Sequence, residues 1–142
     1  MVQRMTETEY MSFLLDRART ATLATVRADG RPHAAPVWFD LDGHTLVFMT
    51  GENTVKGRNV RRDPRVTLCI DDESPPFAFV VIEGQAEIAA ADPDFLYWAT
   101  RIGGRYMGSE KADEYGRRNA VEGELLVRVT PNKIVAFKNL AD

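Results

Sequence analysis

Apolar and polar positions change period several times along the chain, and each change marks an element. In "TETEYMSFLL" Thr6 and Glu9 form a capping box, and Tyr10, Phe13 and Leu14 follow at helical spacing. A helix to about Arg17 is predicted. "TATLATV" (20–26) is rich in β-branched residues, and "DG" at 29–30 is a hairpin signal. The next extended run, "PHAAPVWFDL", reaches a second "DG" at 42–43, and "HTLVFMT" (44–50) returns from it. Three strands joined by two tight turns predict an antiparallel meander.

"GENTVKGRNVRRDP" (51–64) follows as a short helix opened by turn and capping residues and closed at Pro64. "RVTLCID" (65–71) is a strand, "ESPP" a loop, and "FAFVVIEGQAEIAA" (77–90) a long strand with Gly84 at a bulge or bend. Residues 77–82 are apolar on both alternating faces, so both faces need cover: a barrel interior on one side, a helix or second subunit on the other. Asp92 as N-cap and Pro93 at the first position start a helix with Phe95, Trp98, Ala99 and Ile102 on one face. "GG" at 103–104 breaks it, and Ser109 caps another helix over "SEKADEYGRRN". "ELLVRVTPNKIVAFK" supplies two strand-like pieces bent at Pro131. The fold class is mainly β with flanking helices, a barrel of six or seven antiparallel strands. The chain reads as a single domain over 1–142, without repeats or linkers.

Composition narrows the function. With 142 residues and 44% hydrophobic content, the chain can bury its own core. A net charge of −3 argues against a general binder of nucleic acid or membrane surfaces. The lone Cys69 fits a reducing compartment and reads as an inert buried thiol. "MVQRMTETEY" has no apolar core of a signal peptide, and the longest apolar run, "FAFVVI", is far short of the ~20 residues that span a bilayer. A cytoplasmic protein is expected.

Candidate chemistry is sparse. His33 and His44 have no cysteine cluster near them, so no metal site is expected. No nucleophile–base pair and no Walker or Rossmann glycine loop is present, so no catalytic side chain is assigned and any reaction falls to a cofactor. The 51–64 stretch carries Lys56, Arg58, Arg61 and Arg62 against Glu52 and Asp63. Its first turn, with Thr50, Thr54 and Lys56, suits a phosphate, or it is a solvated basic face. "HAAPVWF" (33–39) is an edge or bulged strand because Pro36 lacks a donor. Its alanines and Trp38 let a flat ring approach the main chain, or are ordinary edge-strand residues. Most of Phe77, Phe79, Trp98 and Tyr106 read as core, and Arg101 and Arg105 either bind carboxylates or pair locally.

The ordered set A-T-L-A-T, D-G-x-P-H, P-V-W-F, T-x-K-x-x-N and D-P-R-V-x-L resembles the split β-barrel flavin/deazaflavin oxidoreductases related to pyridoxamine 5′-phosphate oxidase. The likeness extends through "PPFAFVVIEGQAEI", "WATRIGGRYMG" and "PNKIVAF". Within that family the chain is most similar to the branch using coenzyme F420, above all the F420-dependent biliverdin reductases. The resemblance implies a homodimer with sites at the subunit interface. It places Thr50, Thr54, Lys56 and Asn59 on the phosphate segment, Pro36, Val37, Trp38 and Phe39 beside the ring, and Phe77, Ala78, Phe79 and Val80 on the partner-side wall. Trp98, Arg101 and Arg105, with Arg27 and Arg31, are candidates for a planar substrate and its carboxylates. The implied activity is hydride transfer from deazaflavin C5 to a conjugated acceptor, biliverdin first. An FMN-dependent oxidase or reductase and a non-catalytic flavin- or haem-binding barrel are the alternatives. Lys56 stands where many flavin-binding oxidases carry a longer Arg-rich site, which weighs against tight FMN binding.

Overall fold

The computed structural model describes residues 1–89 and 91–142. Strands β1 (Gln3–Arg4), β2 (Ala21–Val26), β3 (Pro32–Val37), β4 (Phe39–Asp42), β5 (Thr45–Gly51), β6 (Arg65–Asp72), β7 (Ala78–Ile88) and β8 (Glu124–Lys138) form one antiparallel sheet. Helices α1 (Glu7–Leu15), α2 (Val55–Arg62), α3 (Phe95–Met107) and α4 (Ala112–Asn119) flank it. The α1 capping box forms as expected, with Thr6 and Glu9 each bonded to the other's backbone N–H. Among the described residues no helix is long and apolar enough to cross a membrane.

The sheet runs β3-β2-β6-β7-β8-β5-β4, with β1 added beside β8. Its two end strands are successive pieces of a single extended run, interrupted at Trp38. The chain therefore leaves one edge of the sheet and enters the other, which curls the sheet around a core. Phe39, Leu46, Phe48, Leu68, Ile70 and Val80 are fully buried in that core. The expected meander is thus redistributed: β2 pairs with β3 and β5 with β4, but the middle strand changes partner halfway.

Further expectations change. The β8 run is continuous, with no break at Pro131. Register slips by one residue between Glu83–Lys133 and Gly84–Pro131, leaving Asn132 as the extra residue of a bulge. Gly84 lies opposite, where a Cβ would sit 2.5 Å from the Thr130 carbonyl oxygen. Strand β7 begins at Ala78, because Phe77 takes φ 64; the predicted strand's far end, Ala90, lies outside the described residues.

Gly103 and Gly104 do not break α3. A Cβ at Gly103 would lie 2.6 Å from Tyr115 Cβ, and one at Gly104 2.9 Å from Ala112 Cβ. Bare backbone at these two positions lets α4 pack directly on α3. Nor does Ser109 cap α4: it opens a 3-10 turn (Ser109–Lys111), and Asp94 rather than Asp92 occupies the N-cap of α3. Asp92 instead accepts the Asp94 N–H and pairs with Arg128.

Candidate functional site

The cleft grows from two local features. The first is the start of α2. Thr54 has extended backbone (φ −74, ψ 162), and its hydroxyl oxygen accepts the Gly57 N–H at 3.0 Å. This caps the third N–H of the helix. The N–H groups of Val55 and Lys56, one and two residues into the helix, have no intrahelical acceptor. Thr50, only 4% exposed at the end of β5, sets its hydroxyl 3.0 Å from that of Thr54.

The second feature is the β3–β4 bend. Bonded and non-bonded pairs alternate along an antiparallel hairpin. Counting from the Arg27 N–H bond to the Arg31 carbonyl, the backbone groups of Pro32, Ala34 and Pro36 face away from β2. Pro36 therefore costs no ladder bond and lies on an open edge. At the bend, Trp38 stacks on Tyr106 with ring centroids 4.8 Å apart and planes at 4°. The Tyr106 hydroxyl accepts the Phe39 N–H at 3.1 Å and donates to the Arg19 carbonyl at 2.5 Å. Burial pushes the Tyr106 phenol pKa up, keeping it a donor.

Between these features lies a cavity of about 520 Å³ lined by Pro36, Val37, Trp38, Thr50, Lys56 and Glu124, with Thr20, Met49, Gly51 and Asn119 completing it. Five of the residues singled out from the sequence meet here: Pro36, Val37, Trp38, Thr50 and Lys56. Thr54 contributes through its cap.

The others stand elsewhere. Phe39 is fully buried in the barrel core. Asn59 is buried too; its amide donates to the Thr25 hydroxyl at 3.0 Å and accepts from Arg62, tying α2 to β2. Phe77, Ala78 and Phe79 line a different hollow with Cys69, while Val80 points into the core. Trp98 is 6% exposed and packs with Val47, Ile102 and Leu126 beneath α3, so it is core and not a wall of the cleft. Arg101 pairs with the buried Asp40 at 3.3 Å and bonds the Tyr97 hydroxyl. Arg105 donates to the carbonyls of Leu14 and Arg17, satisfying acceptors at the end of α1. In this chain both arginines pair locally.

Sequence reasoning missed the cleft's Glu124 and the role of Tyr106. Glu124 opens β8 opposite Gly51. Its carboxyl pKa is raised by burial, with Lys56 pulling the other way. No local motif marks either residue, because each acquires its place from an element distant in sequence.

Comparison with known proteins bears on the whole chain. Among curated proteins it is 34% identical over 110 residues to the pyridoxine/pyridoxamine 5′-phosphate oxidase of Burkholderia multivorans, covering 75% of this chain and 50% of that one. The enzyme of the same description from Myxococcus xanthus is 34% identical over 106 residues, covering 68% and 50%. The chain thus spans about half the length of the curated relatives it matches. Among solved structures, conserved hypothetical protein Rv2991 of Mycobacterium tuberculosis superposes with a TM-score of 0.81 at 26% identity, covering 95% of this chain and 86% of that one. A protein described as an F420 reductase superposes with a TM-score of 0.67 at 28% identity, covering 87% and 94%. The sequence model described as pyridoxamine 5′-phosphate oxidase matches residues 7–136, nearly the whole split-barrel sheet and all four helices. The chain therefore belongs to the pyridoxamine 5′-phosphate oxidase family.

Proposed function

We propose that the chain is a reductase that uses the deazaflavin coenzyme F420 as hydride donor to a planar conjugated acceptor, with biliverdin the first acceptor to try. The observation that carries this reading is the cleft. A helix start with a lysine ammonium suits a phosphate at one end, and an open strand edge beside an indole suits a flat ring at the other. Its volume lies in the range of small-molecule sites, roughly 300–1,000 Å³. The F420 reductase relative, aligned over 94% of its length, supports the choice of cofactor.

Bound coenzyme would supply the hydride at C5. The chain's own residues do the binding and positioning. Lys56 and the N–H groups of Val55 and Lys56 hold the phosphate. Backbone groups on the open edge of β3 orient the ring, while Trp38 and Met49 keep water from it. Arg27, Arg31, Arg58 and Arg62 line a neighbouring hollow of about 300 Å³. Asp29, already bonded to Arg31 at 2.7 Å, is the one acid lining it. That basic surface suits the coenzyme's acidic tail.

The reading includes a homodimer whose second copy closes the site. Its support is the outward face of β6, β7 and β8, where Cys69, Val81 and Val135 align in one row and Phe79 and Phe137 in the next. Among the described residues no helix covers them, and all are partly exposed. Phe77 beside them is held at φ 64, with its N–H bonded to the Ser74 carbonyl and its own carbonyl accepting from Leu140. The residue is 37% exposed, available to a partner.

Absorption and turnover test the reading together. The purified protein is expected to be colourless, to bind added F420, and to oxidise F420H2 when biliverdin is supplied. Co-purified yellow flavin would assign FMN instead, and a Soret band would assign haem. Failure to oxidise F420H2 with any planar acceptor would overturn the reductase.

A further inference from the structure

Among the described residues, two charged side chains line the cleft, Lys56 and Glu124, and neither is held in an ion pair. Glu124 pairs with Gly51 across β5 and β8, and Gly51 leads directly into the turn before α2. Its carboxylate oxygens lie 3.8 and 3.9 Å from the point a Cβ on Gly51 would occupy, and the Thr54 methyl lies 3.3 Å from that point. The carboxylate therefore stands beside the helix start that Lys56 serves. Glu52, next to Gly51 in sequence, is paired with Arg61 at 3.4 Å. The charge of the cleft wall is thus one cation against one anion.

That balance discriminates between phosphates. A phosphodiester carries a single negative charge, whereas a phosphomonoester carries about 1.5 to 2 at pH 7. Lys56 alone offsets the first; the second places its extra charge against Glu124, where partial burial weakens screening by water. We propose that Glu124 is a specificity-determining residue that favours a cofactor with a phosphodiester, as in coenzyme F420, over one ending in a phosphomonoester, as in FMN. The proposal rests on the cleft being the cofactor site. Burial raises the Glu124 carboxyl pKa while Lys56 lowers it, and a second negative charge beside the carboxylate raises it further.

Equilibrium titration of wild type, Glu124→Gln and Glu124→Asp with F420 and with FMN at pH 7.5 tests this. Wild type is expected to prefer F420. In Glu124→Gln that preference should fall roughly ten-fold, because losing the carboxylate relieves the more highly charged FMN phosphate by more than the singly charged F420 phosphodiester. Glu124→Asp keeps the charge and should keep the preference, which separates charge from a general loss of shape. A preference for F420 that survives unchanged in Glu124→Gln overturns the proposal and leaves the cleft reading intact. A wild type that binds neither cofactor overturns both.

Discussion

Tyr106 sets the shape of the cleft from outside it. Its hydroxyl holds the Phe39 N–H at the strand bend, and its ring backs the Trp38 indole. Tyr106→Phe keeps the ring but leaves that N–H without its partner, so unfolding in urea should show a loss of about 1–3 kcal/mol. An unchanged midpoint would mean the bend holds itself. Trp98 invites the opposite comparison. As a substrate wall it would lose activity but little stability on replacement; packed against Val47, Ile102 and Leu126, Trp98→Ala should cost about 3–5 kcal/mol. Both side chains were visible in the sequence as large aromatics. Their roles were not, because a helical face does not say whether it meets solvent, substrate or the outside of a sheet. The place of Lys56 at the cleft was legible because its neighbours in sequence, the Thr54 cap and the helix start, are also its neighbours in space.

At the scale of elements, the paired helices α3 and α4 show how one residue type gives two opposite signals. Gly103-Gly104 reads locally as a helix break; here it is the contact surface of α3, and only the presence of α4 decides between the two. Alanine at an exposed helix position would help by about 1 kcal/mol over glycine. Here the added Cβ would meet Tyr115 or Ala112, and overpacking of this kind costs about 1–3 kcal/mol. Gly103→Ala should therefore lower the unfolding midpoint, the more so because its clash is with a Cβ that cannot rotate away. A raised midpoint would mean that the helices separate freely. The exit from α2 gives a pH test. Bonds from the Arg65 side chain and backbone N–H lower the Asp63 pKa from 3.8 to about 2. A carboxyl depressed on folding contributes stability that is present above the unfolded pKa and lost as pH falls through the folded one. The melting temperature should therefore drop between about pH 4 and pH 2 partly through Asp63. Asp63→Asn should make that drop shallower, to an extent limited by the exposure of the pair; identical acid profiles would show the bond is broken in solution.

Across the whole molecule, one extended run supplies both ends of the sheet, so closing the barrel and building the cleft wall are the same event at Trp38. Alternation and turn residues made the strands themselves legible, and with them the barrel class. The partner switch at Trp38, the continuity of β8 past Pro131 and the approach of Glu124 to Gly51 were not legible, since each depends on pairing between distant segments. The two-sided apolar character of β7 was plain in the sequence, and it leads to the prediction that Phe79→Glu, on the outward face, will convert a dimer to monomer in sedimentation velocity. A wild type that sediments as a stable monomer would remove the second copy from the site. The central claim is narrower: the cleft between the β3–β4 bend and the start of α2 holds the phosphate-bearing cofactor. The most direct test is a fluorescence titration of coenzyme F420 into wild type and Lys56→Ala. A charge-assisted hydrogen bond contributes about 1.5–3 kcal/mol, so the variant should bind roughly ten- to a hundred-fold more weakly, with the melting temperature of the free protein almost unchanged. Equal dissociation constants for the two proteins would contradict the account and leave residues 51–64 a solvated basic helix.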